Sequence, residues 1–233
     1  MIPSRIVGRA TGENWIGLID ATYAIVLTLL VIELPIIILD NLSAGETHHY
    51  PPGDLVNAIA AIIIGYFAIF TIIYDIWAYH KALLADAIKL RMFAVATGWL
   101  LFFSSLVSPF YYLVNHYAVE LILHVGDDVS RERRHLAVVR VVVFLLIGLL
   151  YLILAILATI EKRQVGQSIE KRKDLHILFG TALSKGLLTI AVGLIGDVLF
   201  IAPPLLILII AISTYIPFNL FATNPLNRLM QRR

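Results

Sequence analysis

The length of its apolar runs constrains this chain more than any other feature. Segments near 15–39, 55–78, 92–114, 137–160, 175–200 and 203–222 are each long and apolar enough to cross a bilayer as a helix. A helix needs about 20 residues for this, whereas a tilted barrel strand needs only about 10. Composition agrees: 60% of the 233 residues are apolar and 15% are charged, against about 45–50% and about 25% in a soluble domain. One soluble core cannot hide that excess. The expected fold is all-α, a polytopic membrane protein with a single six-helix transmembrane domain over 1–233. The loops leave no room for a separate catalytic domain. The last two spans are divided by Ala202-Pro203-Pro204, a reversal that neither helix can run through.

Cysteine is absent, which excludes disulfides, thiolate metal sites and cysteine nucleophiles. A net charge of +2 is too small to imply a nucleic-acid partner, and the basic residues read instead as topology signals. With the N-terminus inside, the cytoplasmic pieces collect most of the 18 Lys and Arg residues, among them Arg5, Arg9, Lys81, Lys89, Arg91, Lys162, Arg163, Lys171, Arg172, Lys173, Arg228, Arg232 and Arg233. The first outer loop, Asp40 to Asp54, has none. Both termini are therefore expected in the cytoplasm. Residues 115–136 carry mixed charge and fall outside, with Tyr117 to His124 expected as a short helix at the interface. The first span follows Arg5 and Arg9 as a signal peptide would, but it contains Asp20 and Glu33 and is longer than a signal core of about 7–15 residues. It is expected to be a retained span.

Ionisable residues inside a span cost roughly 2.5–3.5 kcal/mol each at mid-membrane and mark function by default. Asp20, Glu33, Asp75, Lys185 and Asp197 are the candidates. Depth places Glu33 and Asp197 near the outer ends of their helices, within reach of interfacial water. Lys185 is deeper, and either snorkels or pairs with a neighbouring helix. Asp20 shares its depth with Asp75, Trp77 and His80 near the inner end of the second helix. A carboxylate, an indole N–H and an imidazole at one level can form a hydrogen-bonded knot; the alternative is that Asp75 and His80 face water and Trp77 is an interfacial anchor. On the first helix, at about 100° per residue, Ile25, Leu29 and Ile32 fall on one stripe, with Asp20 about 140° from Ile25. Core packing is the default for such a stripe, but were it to line a pore, Asp20 would face protein.

These residues also carry a resemblance. Asp20-Ala-Thr-Tyr-Ala-Ile-Val-Leu-Thr-Leu-Leu-Val-Ile-Glu-Leu is similar to the first helix of the prokaryotic homologues of the endolysosomal potassium channel, the transmembrane protein 175 family. That family's first helix reads R-x-x-x-F-S-D and then a T-L-L-V-type run. Trp77-Ala-Tyr-His80 resembles its W-x-x-H at the end of the second helix, and Pro109-Phe110-Tyr-Tyr-Leu113 its P-F-x-x-x-L in the third. The likeness covers the first half of the chain, and the second half by helix count alone. Asn14, Leu18 and Ile19 replace the motif's arginine, phenylalanine and serine, leaving Asp20. The resemblance implies a homotetrameric, potassium-permeable cation channel in the plasma membrane of a prokaryote, whose central pore is lined by the first helix. The carbonyl filter T-V-G-Y-G is absent from this sequence. By alignment, Ile25, Leu29 and Ile32 form the constriction, Thr28 supplies a hydroxyl ring, and Asp20, Trp77 and His80 form a packing network that holds the pore helix. Potassium ions, the lipid bilayer and the chain itself are the implied partners, with no cofactor or metal site.

Three other readings compete. Tyr74-Asp75 and Gly196-Asp197 resemble the Y-D and G-x-G-D pair of intramembrane aspartyl proteases. However, the second motif reads Leu194-Ile195-Gly196-Asp197, and the two aspartates are expected on the order of 20–30 Å apart in depth, too far for a shared proton. The sequence also lacks H-E-x-x-H, G-x-S-x-G and a phosphate-binding glycine loop, so no enzymatic activity is expected. A proton-coupled transporter using Asp20, Asp75 and His80 would need paired broken helices, and Pro109 breaks only the third. A non-conducting scaffold is the last alternative.

Overall fold

A computed structural model describes residues 12–48, 52–85, 90–123, 129–164 and 169–195, all of them α-helical. The helices are α1 (Gly12–His48), α2 (Pro52–Ala85), α3 (Leu90–Leu123), α4 (Val129–Gln164) and α5 (Ile169–Ile195). Each contains a stretch long and apolar enough to cross a membrane: Ile16–Asp40, Pro52–Leu83, Val95–Ala118, Arg133–Lys162 and Arg172–Ile195. These overlap the first five expected spans, with ends that differ by up to five residues. The sixth, at 203–222, lies outside the described residues, as do Asp197, the Ala202–Pro204 reversal and both chain ends.

Two local expectations are corrected. Tyr117 to Leu123 is not a separate interfacial helix but the last turns of α3. The same buried face carries on through Val114, Asn115 and Ala118, and Tyr117 packs its ring 5.4 Å from that of His135 on α4. Pro109 likewise does not break the third helix. Its ring lies on the exposed side and forfeits only one backbone bond, which membrane helices tolerate. Pro35 is carried through α1 in the same way.

Packing divides the bundle. α1 lies on α2 and α3, whereas α4 and α5 form the most intimate pair. Glycine makes that approach possible. A Cβ on Gly148 would collide with Ile190 and stand 3.1 Å from the Gly186 carbonyl, and one on Gly193 would run into the root of the Phe144 side chain. Small residues let membrane helices close to backbone contact, where packing rather than water exclusion drives association. Gly193→Ala should therefore cost about 1–3 kcal/mol from overpacking. Gly180→Ala, with nothing within 4 Å of the added carbon, should be neutral or gain up to about 1 kcal/mol of helix propensity. Thermal unfolding of the two variants in one detergent checks the pair.

Candidate pore helix and its anchors

The two faces of α1 differ in kind. Ile16, Ile19, Tyr23, Val26, Leu30 and Ile37 are buried, and half-buried Glu33 fills the remaining place in an alternating three-four spacing. That spacing keeps one stripe of a helix against its neighbours. The opposite face carries Leu18, Ile25, Leu29, Ile32, Ile36 and Leu39, all exposed. Of the five spans, that of α1 is the least buried within the chain. Ile25, Leu29 and Ile32 are 61%, 45% and 54% exposed, so none of the three is buried among the described helices. Thr28 shares this face, and its hydroxyl donates to the Ala24 carbonyl at 2.7 Å. With the proton so engaged, the lone pairs of Oγ1 are left facing outward.

The inward face is tied down at three levels. At the first, the Asp20 carboxylate accepts a hydrogen bond from Trp77 Nε1 at 2.8 Å and pairs with Lys81 Nζ at 2.9 Å. The Lys81 ammonium also stands 4.9 Å from the centre of the Trp77 ring, close enough for a cation–π contact. Next comes Tyr23, whose hydroxyl accepts from Ser104 at 3.3 Å and lies 3.4 Å from His80 Nδ1. His80 Nε2 is 3.0 Å from Thr97 Oγ1. A neutral imidazole protonated on Nε2 completes an unbroken chain from Ser104 through Tyr23 and His80 to Thr97. At the third level, Glu33 accepts from Ser108 at 2.8 Å and from Tyr66 at 3.4 Å.

The expected partners are thus only partly regrouped. Asp20 and Trp77 are in direct contact, and Asp20 faces protein. His80 does not touch Asp20: it is fully buried and serves Tyr23 one turn along. Glu33 was expected at interfacial water, but its carboxylate is engaged by α2 and α3. Lys81 looked like a plain topology signal and is the counter-ion of Asp20.

A second polar centre crosses the bundle. Lys185 does not snorkel. It pairs with Asp75 Oδ2 at 2.7 Å, and the same oxygen accepts from the Tyr151 hydroxyl at 2.7 Å. The ammonium lies 4.8 Å from the Tyr79 ring centre and 5.5 Å from that of Tyr151. Tyr79 in turn donates to Thr181 at 2.9 Å. Asp75 is therefore a buried carboxylate held by Lys185 and Tyr151 and does not face water. Within two turns, α2 reaches α1 through Trp77, His80 and Lys81, α3 through His80, α4 through Asp75, and α5 through Asp75 and Tyr79. No group of three metal-ligating side chains occurs among the described residues.

Residues 16–108 match the family described as Endosomal/lysosomal potassium channel TMEM175. Over this segment, less than half of the 233 residues, the chain is similar to that family. The match takes in α1, α2 and the first half of α3, and with them every α1 anchor described above. The TMEM175 family is a potassium-channel family, not an enzyme class. No curated protein and no solved structure matches the chain.

The Asp20 anchor predicts a specific phenotype. Asp20→Ala removes the acceptor of Trp77 and the counter-ion of Lys81, at a cost of about 1–3 kcal/mol for lost partners of this kind. The half-exposed ion pair adds little of its own. Melting temperature and oligomer yield should fall, and ion preference in the surviving assembly should hold. Normal stability with altered ion preference would place Asp20 in the conduction path.

Proposed function

We propose that the chain is one subunit of a homotetrameric, potassium-permeable cation channel in a prokaryotic plasma membrane. In this reading both termini are cytoplasmic and residues 203–222 form a sixth helix. The four α1 helices surround the pore, Ile25, Leu29 and Ile32 close it, and the Thr28 hydroxyls offer oxygen lone pairs between the apolar rings. Asp20, Trp77 and His80 hold the helix from behind. The carrying observation is the division of α1 into one face anchored at three polar levels and one apolar face left open by the described helices. That division meets the segment that matches a potassium-channel family. A ring of branched aliphatic side chains can gate by dewetting, and selectivity then rests on pore width and the few nearby oxygens.

Two measurements test this together. The mass of the purified protein in detergent should correspond to four chains, and liposomes containing it should pass potassium down its own gradient without any counter-ion gradient. Potassium flux that requires a proton gradient would make the chain a coupled transporter. A four-chain assembly without flux under any condition would make it a scaffold.

A further inference from the structure

The α4–α5 turn is rich in charge. Between positions 161 and 176 the chain has Lys162, Arg163, Lys171, Arg172 and Lys173 against Glu161, Glu170 and Asp174. Burial sorts these by sign. Glu161 and Asp174 are buried, whereas Arg172, Lys173 and His176 are exposed. With Glu161 and Asp174 turned into the bundle, Arg172 and Lys173 stand at the surface. Lys162 and His176 are brought together, with Lys162 Nζ 3.1 Å from His176 Nδ1, so cationic and neutral donors from two helices meet at one spot.

Depth identifies what such a spot would meet. The apolar stretches of α4 and α5 end and begin at Lys162 and Arg172, so the cations lie where hydrocarbon gives way to headgroups. Further along α5, Leu187 and Leu194 are exposed, on the side of the helix that carries Arg172 and His176. Cations at the boundary with apolar side chains beneath suit an amphiphile with an anionic head and acyl chains, and clusters of Lys and Arg beside a span attract anionic lipid. We propose that Lys162, Arg172, Lys173 and His176 form a binding site for the phosphate headgroup of an anionic phospholipid. The site does not depend on the channel reading, because α5 packs on α4, away from the open face of α1.

The full chain, purified in neutral detergent, is titrated with phosphatidylglycerol, with phosphatidylcholine, or with inorganic phosphate at matched ionic strength. Bound lipid is counted by native mass spectrometry and the melting temperature is followed. Phosphatidylglycerol should raise the melting temperature and remain bound, and the other two should not. Arg172→Gln/Lys173→Gln, which changes only exposed side chains, should lose most of the shift and retain fewer phosphatidylglycerol molecules, with an unchanged melting temperature in phosphatidylcholine. Adding Lys162→Gln should remove the remainder. Arg133→Gln/Arg134→Gln, at the exposed opposite end of α4, removes the same net charge and should leave the response intact. An equal response to inorganic phosphate, retention of the shift by the α5 double variant, or an equal loss in the α4 control would each overturn the proposal.

Discussion

Replacing Lys185 with Met is expected to destabilise the protein by about 3–5 kcal/mol, the usual cost of removing one partner from a buried ion pair. Asp75 and Lys185 are almost completely shielded, with side-chain exposures of 8% and 7%. The variant leaves a carboxylate in the bundle with its Tyr151 donor but without the cation. Removing both charges should behave differently. Asp75→Leu/Lys185→Met takes away the desolvation penalty together with the attraction, and such replacements are often near neutral. The two substitutions are thus expected to be strongly non-additive, as contacting residues are. Chemical unfolding in detergent of the single and double variants measures this. A double variant as unstable as Lys185→Met would show that packing around the lysine stem, rather than the charge, holds α5 to α2.

The positions of the first five spans were legible in the sequence because the bilayer fixes them: apolar length translates directly into a crossing. Depth was legible for the same reason. Counting residues from the span ends put Asp20, Trp77 and His80 at one level, and Asp20 does bond to Trp77. Azimuth was not legible. All five helices are apolar on most of their circumference, so periodicity points weakly to the neighbour, and residues at equal depth can face different helices. His80 shows this, bonding Tyr23 and Thr97 instead of Asp20. Lys185 shows it more sharply. Its partner is 110 residues earlier in the chain, and which helix packs on which is set by close approaches at Gly148 and Gly193 that no short pattern declares. The run of α3 past residue 114 was missed because Asn115 and His116 look like an exit from the membrane. Asn115 is instead buried, on the face that continues the helix. On α1 the alternation of burial does follow the sequence, and the stripe of Ile25, Leu29 and Ile32 is the face left open.

Leu29→Ala and Ile25→Ala should each raise potassium leak into liposomes severalfold, with the double variant leaking most. Both side chains stand on the open face of α1, exposed among the described helices, so shortening them should widen and wet a constriction without unfolding the chain. Leu30→Ala is the matched control. It removes the same three carbons one position along, but Leu30 is 1% exposed. The expected result there is a loss of about 2–5 kcal/mol in stability, as for other buried leucines, with no gain of leak in protein that remains assembled. The contrast between neighbouring leucines separates a pore from general loosening, because a bundle that leaks through disorder should leak more from the core variant. Unchanged flux in both Ile25→Ala and Leu29→Ala, in protein of normal oligomeric mass, would remove these residues from the constriction. Leak from Leu30→Ala alone would mean that α1 presents its other face to the ions, and that the three polar anchors hold it in a different rotation from the one described.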